Sequence, residues 1–80
     1  MKWCVYILEC FHNKLYVGCT SNLKVRLSQH FSGKGAKFTK AFKPLKLVYT
    51  QVVNTRKDAY KLEASIKKLS RQNKLSLFQK

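Results

Sequence analysis

Acidic residues are scarce in this chain. Only 3 of the 80 residues are Asp or Glu, whereas 17 are Lys or Arg, which gives a formal net charge of +14 at pH 7. A protein this basic favours a polyanion as its partner, with nucleic acid first and an anionic membrane surface second. The charge alone does not distinguish these partners.

Long apolar runs and paired cysteine motifs are also missing. No stretch is long enough to span a bilayer, and the start, Met1-Lys2-Trp3-Cys4, does not have the shape of a signal peptide. The cysteines are odd in number and include no C-x-x-C pair, which argues against a disulfide framework and a zinc site; they are Cys4, Cys10 and Cys19. We therefore expect a reduced, cytoplasmic protein.

Proline and glycine are few, with one and three residues, but 45% of the chain is hydrophobic, which is enough for one core. A length of 80 residues suits one small domain, which we expect to span 1–80. No repeat or linker divides it.

The first half of the chain has the pattern of a β-hairpin followed by a helix. Two apolar segments, 3–8 and 14–19, predict the strands, and the polar tip at His12 and Asn13 predicts the turn between them. Asn22 is a suitable cap for a helix whose apolar residues recur at four-residue steps, namely Leu23, Leu27 and Phe31.

The second half adds a strand and two helices. We expect a Gly- and Lys-rich loop over 32–44 and then a strand over 45–53, which is too hydrophobic for a loop. Thr55-Arg56-Lys57-Asp58 resembles a capping box and predicts the start of a helix over 55–70, with a last short helix over 71–78. The order ββαβαα predicts a small three-stranded sheet covered by helices, an α/β or α+β fold.

Glu63 is the most informative acidic residue. It lies at the edge of an apolar helical stripe, four residues after Ala59 and three before Ile66. A carboxylate beside an apolar face needs a partner, which could be a metal ion, a catalytic cation or a lysine. Lys67, at i+4, is the ordinary candidate, and such exposed pairs contribute only about 0.3–0.5 kcal/mol. The functional alternative is a Mg²⁺ ion held by this carboxylate, waters and a substrate phosphate.

Arg26 and His30 are four residues apart on the first helix, so their side chains leave the same face. Arginine is much rarer than lysine in this chain, and its planar fork suits bidentate contact with a phosphate. Taken alone, the helix also allows a solvated Arg and an ordinary surface His.

Tyr6 and Tyr16 fall in the two strands of the hairpin, where paired strands could bring them close together. A tyrosine hydroxyl beside a cation can be acidified and take a proton from water, so a base role is chemically feasible. The alternative is that both are packed strand aromatics. Gly18 removes a side chain from the same sheet face, which leaves room for a ligand or another backbone, or marks a bulge.

Lysine recurs at every third position from 34 to 46, with Phe38 and Phe42 between the lysines. Such a stretch could follow a phosphate backbone, with the aromatics anchored in the core or meeting bases. The alternative is a solvated basic loop over two core phenylalanines. We favour phosphate contact, and the candidate nucleic-acid-binding residues are Lys14, Lys34, Lys37, Lys40 and Lys43.

Together these residues resemble the GIY-YIG nuclease superfamily. Its two name-giving tripeptides appear as Val5-Tyr6-Ile7 and Tyr16-Val17-Gly18, and its arginine, helix His or Tyr, and metal-ligand glutamate match Arg26, His30 and Glu63. Further segments are similar to the small stand-alone bacterial members: Tyr16-Val17-Gly18-Cys19-Thr20, Gln29-His30, Gly33-Lys34-Gly35-Ala36-Lys37, Pro44, Leu47-Val48-Tyr49 and Ile66-Lys67-Lys68-Leu69-Ser70-Arg71. The similarity covers nearly the whole chain.

The resemblance implies a central three-stranded antiparallel sheet flanked by helices, and hydrolysis of a phosphodiester with one divalent metal ion. Glu63 would bind Mg²⁺ or Mn²⁺, Tyr6 would activate the attacking water, and Tyr16 would support it or orient the phosphate. Arg26 would stabilise charge on the phosphate, and His30 would assist proton transfer or phosphate contact.

The sequence departs from the family pattern in three respects. Val5 replaces Gly in the first tripeptide, a common variation among the small members. Phe38 stands where relatives often have Tyr, so this position offers no proton donor or acceptor. Larger relatives carry a separate DNA-binding domain, so we expect target choice here to be loose or to be supplied by a partner protein. No oligomeric state is indicated.

We therefore predict a metal-dependent endonuclease that acts on DNA and has no membrane partner. Its substrates could be structured, damaged or single-stranded DNA in repair or recombination. A nucleic-acid-binding module without turnover is the alternative, and a structural protein at ribosomal RNA or an anionic membrane is a weaker third. A basic surface suits all three. Only the enzyme requires one cleft to contain Tyr6, Tyr16, Arg26, His30 and Glu63.

Overall fold

The computed structural model of the protein describes residues 2–79, so the two end residues of the predicted domain, Met1 and Lys80, lie outside it. Along the chain the elements are β1 (Trp3–Cys10), β2 (Lys14–Thr20), α1 (Leu23–Phe31), α2 (Lys37–Ala41), β3 (Pro44–Val53), α3 (Arg56–Lys67) and α4 (Arg71–Leu75). The predicted α+β fold is confirmed, with one additional helix, α2.

The sheet has the strand order β2-β1-β3, and both pairs of neighbouring strands are antiparallel. The central strand β1 is covered on both faces, so consecutive side chains from Cys4 to Leu8 are buried although they alternate between the faces. The strands β2 and β3 form the two edges of the sheet.

The hairpin turn and the two longer helices begin where local sequence predicts. His12 and Asn13 adopt positive φ angles of 62° and 58°, which close the turn between β1 and β2. The Asn22 side chain accepts a hydrogen bond from the backbone N–H of Val25, and Thr55 accepts one from Asp58. These contacts satisfy N–H groups that the first turn of a helix leaves free.

The predicted helix over 55–70 is too long. α3 ends at Lys67, because Ser70 caps a new helix by accepting a hydrogen bond from the backbone N–H of Asn73. That helix, α4, ends at Leu75 and not at Phe78 as predicted, although Phe78 does pack against the core.

The expected loop over 32–44 contains the helix α2. This five-residue helix is held by its surroundings: Thr39 is buried, and the rings of Phe38 and Phe42 pack against each other with centroids 5.1 Å apart. Phe38 also contacts Tyr16, at 5.7 Å between ring centroids. The two phenylalanines therefore anchor the basic segment to the body of the protein, as both interpretations of this stretch allowed, and only the prediction of a loop without a helix is wrong.

Each face of the sheet carries its own core. On one face, Val5, Ile7 and Val17 pack against α3 through Ala59 and Ile66. The other face carries Tyr6, Leu8 and Cys10, against which residues of α1 and α2 pack. All three cysteines are free. No helix within residues 2–79 is both long and apolar enough to cross a membrane.

Candidate active site

Two tyrosines form the floor of the candidate site on the sheet face that carries α1. Tyr6 pairs with Gly18 across the β1–β2 ladder, and its ring centroid lies 6.3 Å from that of Tyr16. A Cβ atom at Gly18 would lie 2.7 Å from Tyr6 Oη and 3.0 Å from Tyr16 Cε2. The space that glycine leaves is therefore filled by the two tyrosine rings and not by a ligand.

His30 of α1 is fully buried against these rings, so its interpretation as an ordinary surface residue is wrong. Its Nε2 atom lies 2.8 Å from Tyr6 Oη, and its Nδ1 atom lies 2.8 Å from Thr39 Oγ1. The Thr39 hydroxyl donates its proton to the carbonyl oxygen of Ala36, at 3.0 Å. Since the Thr39 hydroxyl already donates its proton to Ala36, it accepts a hydrogen bond from His30 Nδ1–H. The other ring nitrogen, Nε2, is then unprotonated, and the Tyr6 hydroxyl donates a hydrogen bond to it.

The surroundings of Tyr6 and His30 favour this neutral arrangement. Burial, and secondarily the nearby charge of Arg26, lower the pKa of His30. Burial and the neighbouring Tyr16 raise the pKa of Tyr6 to about 12, although Arg26 acts in the opposite direction. Arg26 therefore lowers the pKa of Tyr6, as a nearby cation can, but desolvation of the phenolate is the larger effect and leaves the pKa raised.

Arg26 is held in place beside the two tyrosines. Its guanidinium donates a hydrogen bond to Gln29 Oε1 at 2.9 Å. Burial lowers the pKa of Arg26, but the neighbouring Tyr6 and Tyr16 hydroxyls more than offset this and leave the pKa raised. The side chain is partly buried and in a fixed position, which excludes the interpretation of Arg26 as a freely solvated surface charge.

Glu63 lies on the opposite face, on α3. Its carboxylate forms an ion pair with Lys67 at 2.7 Å, and its side chain is only 20% exposed. The carboxylate also lies beside Cys19 on β2, where burial and Glu63 together raise the thiol pKa to about 12. The lysine partner that the sequence allowed is thus present, but Glu63 does not point freely into solvent.

Lys67 connects Glu63 with the tyrosines around the edge of the sheet. Glu63 raises the pKa of Lys67 most, partial burial lowers it, and the nearby Tyr16 and Cys19 raise it further. Within residues 2–79, no hydrogen bond or ion pair joins Glu63 directly to the other four predicted residues. The structure therefore brings Tyr6, Tyr16, Arg26 and His30 together on one face of the sheet, and it places Glu63 on the other face, so the five predicted residues do not all share one face.

The candidate site offers a metal ion one carboxylate, that of Glu63, and no cluster of protein ligands within residues 2–79. No group of three or more His, Cys, Asp or Glu residues in the described part of the chain could enclose a metal. Mg²⁺ commonly uses one or two carboxylates, with waters and substrate phosphates as its remaining ligands. Glu63, a partly exposed carboxylate at the edge of a basic protein, suits that arrangement.

Exposed cations surround the site on the side of α2. Lys34, Lys37, Lys40 and Lys43 are all exposed, and the last two line a cavity of about 430 Å³ behind His30. Lys14 lies over the ring of Phe42, at 5.5 Å from its centroid.

The sequence analysis missed two cations on α4. Arg71 and Lys74 line a pocket of about 140 Å³ together with Lys14 and Phe38, and Phe38 is the residue that packs on Tyr16. The available signal was that Arg71 is one of few arginines in a lysine-rich chain.

Residues 2–76 match the family of the GIY-YIG catalytic domain. The chain therefore belongs to the GIY-YIG family, which is a family of nucleases. It is similar to a UPF0213 protein of Staphylococcus haemolyticus, with 42% identity over 78 residues, which covers 98% of this chain and 95% of that protein. A UPF0213 protein of Syntrophus aciditrophicus is 51% identical over 74 residues, or 91% of this chain and 85% of that protein.

Two solution NMR structures have the same fold. The UPF0213 protein BH0048 from Bacillus halodurans aligns with a TM-score of 0.61 and 40% identity, over 96% of this chain and 82% of that chain. A protein from E. faecalis aligns with a TM-score of 0.65 and 35% identity, with the same coverage.

Proposed function

We propose that this protein is a metal-dependent endonuclease that hydrolyses phosphodiester bonds in DNA. The observation that carries the proposal is the packing of two phenols on a buried imidazole, with a guanidinium nearby and a carboxylate at the β2 edge of the sheet. Membership of a nuclease family supports the same reaction class. These groups supply a proton path and charge stabilisation on one face of the sheet, with a carboxylate for a metal ion on the other side of the β2 edge.

Tyr6 and His30 form the proton path. As a water molecule attacks phosphorus, its proton passes to Tyr6 Oη while the Tyr6 proton passes to His30 Nε2. This transfer needs no free phenolate, which agrees with the raised pKa of Tyr6. Thr39 accepts from the opposite ring nitrogen and keeps Nε2 available, so the imidazolium that forms remains hydrogen-bonded on both sides.

Arg26, Tyr16 and Glu63 act on the phosphate. The Arg26 guanidinium is positioned to stabilise the negative charge that develops on the nonbridging oxygens. Tyr16, which is partly buried beside it, orients the same phosphate. Glu63 is the ligand for Mg²⁺ or Mn²⁺; when bound, such an ion supplies positive charge to the phosphate and to the leaving oxygen.

A non-catalytic nucleic-acid-binding module remains the second candidate, because of one specific observation. Within residues 2–79, Lys67 forms an ion pair with the proposed metal ligand Glu63, so a metal ion has to compete with or displace the ammonium. A protein in which that displacement does not occur would bind DNA through its basic surface without turnover.

Cleavage of a DNA panel separates the two functions. Duplex, single-stranded, flap and cruciform DNA are incubated with Mg²⁺ or Mn²⁺ and with wild type, Glu63→Ala or Arg26→Ala. We expect cleavage by the wild type only, with DNA binding by Glu63→Ala equal to or tighter than that of the wild type. Cleavage that survives Glu63→Ala contradicts the metal role, and salt-dependent binding without cleavage by any form supports the binding module.

A further inference from the structure

A cluster of two aromatic rings and an arginine lies at the start of α3 and has no part in the proposed reaction. The Arg56 guanidinium carbon lies 5.7 Å from the ring centroid of Trp3 and 5.1 Å from that of Tyr60. Arg56 Nε also donates a hydrogen bond to Tyr60 Oη at 2.8 Å. The Trp3 and Tyr60 rings meet edge to face, with their centroids 6.1 Å apart. We call Trp3, Arg56 and Tyr60 the α3 aromatic cluster.

The α3 aromatic cluster is open to solvent. Tyr60 is 48% exposed, and Arg56 is exposed as well. An aromatic ring contributes most to stability when it is covered, so burial does not account for a half-exposed tyrosine. Contacts with the Arg56 guanidinium and the Trp3 ring hold the Tyr60 ring in one position, which lowers the entropy lost when a ligand stacks on it.

The cluster and Glu63 share one face of α3. Arg56, Tyr60, Glu63 and Lys67 are spaced by four, three and four residues, which places them in a single stripe. Tyr60 precedes Glu63 by three residues, a rise of about 4.5 Å along the helix axis. Stacked bases of a strand are separated by roughly 3.4 Å, so a base beside a phosphate at Glu63 is within reach of Tyr60.

We propose that the α3 aromatic cluster is a stacking platform for one unpaired base of a DNA strand, next to the phosphate that is cleaved. The placement beside the cleaved phosphate rests on the proposed function; the stacking site does not. Lys57 and Lys61 are exposed on the same helix, one turn apart along one side of the stripe, and they suit phosphates of the same strand. Bases inside a duplex already stack on their neighbours, so the site selects single strands and flaps.

The test is binding of single-stranded DNA to a protein that cannot cut. Glu63→Gln protein without metal is titrated with a fluorescent oligo-dT, and Tyr60→Leu is then added to that background. We expect the affinity for oligo-dT to fall about 5- to 100-fold, because one base loses its stacking partner. Tyr60→Phe keeps the ring and loses only the hydroxyl, so its affinity should stay within about twofold of the parent value.

Three controls test whether the loss of affinity in Tyr60→Leu comes from the stacked base. An abasic oligonucleotide of equal length keeps the phosphates without the bases, and it should bind the Tyr60→Leu protein and its parent equally. Lys57→Gln should reduce the dependence of oligo-dT affinity on salt concentration, whereas Tyr60→Leu should leave that dependence unchanged. The chain has a single tryptophan, Trp3, which lies in the cluster, so its fluorescence should change on binding oligo-dT and not on binding the abasic strand.

The outcomes are separable from those of the cleavage experiment. Equal affinity of Tyr60→Leu and parent protein for oligo-dT overturns the stacking site, even if wild type cuts DNA. An equal loss on abasic DNA, or loss of the native circular dichroism spectrum in both Tyr60 variants, also overturns it, because the residue is then only structural. If Tyr60→Leu weakens binding of oligo-dT but not of abasic DNA, and the wild type cleaves no DNA, the stacking platform is supported and the proposed function is contradicted.

Discussion

Thr39 determines which nitrogen of His30 is free to receive a proton. Its hydroxyl donates to Ala36 and therefore accepts from Nδ1–H, which leaves Nε2 for Tyr6. His30 and Thr39 are buried and bonded directly to each other, so the loss of this partner is costly for His30. The chemistry of the tyrosine–histidine pair consequently depends on a residue that contacts no substrate in the proposed mechanism.

We predict that Thr39→Val lowers the free energy of unfolding by about 1–3 kcal/mol, because it leaves a buried N–H of His30 without an acceptor. Cleavage should also slow, since nothing then favours the tautomer that accepts from Tyr6. Urea unfolding and single-turnover cleavage measure the two effects. Thr39→Ser keeps the hydroxyl and should restore both; if it behaves like Thr39→Val, packing of the methyl group and not the hydrogen bond is the cause.

The proximity of Tyr6 and Tyr16 was predictable, because a hairpin with a known turn sets which residues face each other. The burial of His30 was not, since helical spacing shows only that it shares a face with Arg26. Which way that face points depends on how α1 packs on the sheet. Thr39 was missed because it lies in a segment that local sequence indicates to be a loop.

At the level of elements, α3 combines the proposed metal ligand with the group that neutralises it. Glu63 and Lys67 are one helical turn apart, and their ion pair lies at the edge strand β2, beside Cys19 and Tyr16. Binding of a divalent ion to Glu63 therefore competes with the ammonium of Lys67. The strength of this competition is modest, because the Lys67 side chain is 55% exposed.

We predict that Lys67→Gln lowers the Mn²⁺ concentration needed for half-maximal binding by about two- to fivefold, which corresponds to the roughly 0.5–1 kcal/mol of a partly exposed ion pair. Electron paramagnetic resonance of free Mn²⁺ measures this directly. Lys61→Gln is the matched control, because it removes the same charge from α3 without removing the ion pair. A shift of equal size in both variants would mean that net charge, and not the Glu63 pair, sets metal affinity.

Helix starts were predictable because their signals are local. Asn22 and Thr55 each satisfy an N–H three residues ahead, which sequence spacing alone reveals. The helix α2 had no such signal: its cap, Ala36, makes no side-chain hydrogen bond, and contacts with His30 and Tyr16 hold the segment. Tertiary packing stabilises this five-residue helix, so it could not be predicted from local helix propensity.

For the whole molecule, the question is whether the net charge of +14 acts uniformly or as a defined footprint. The structure distinguishes the lysines that the sequence grouped together. Lys34, Lys37 and Lys40 are exposed on and before α2, whereas Lys46 on β3 lies 3.9 Å from the carboxylate of Glu9. Lys46 therefore has an acidic neighbour and lies apart from the proposed DNA-binding side.

We predict that the triple variant Lys34→Gln, Lys37→Gln and Lys40→Gln reduces the slope of log affinity for duplex DNA against log salt by about 2.7, because each lost phosphate contact removes about 0.9. Lys46→Gln should leave the slope unchanged. Fluorescence anisotropy with a labelled duplex between 50 and 200 mM salt, roughly the range over which such affinities change by orders of magnitude, measures both. Lys46→Gln could instead change the slope by as much per charge as the triple variant does. DNA would then be held by the net charge and not by one defined face of the protein. In that case only the candidate active site itself would align a DNA strand with Tyr6 and His30.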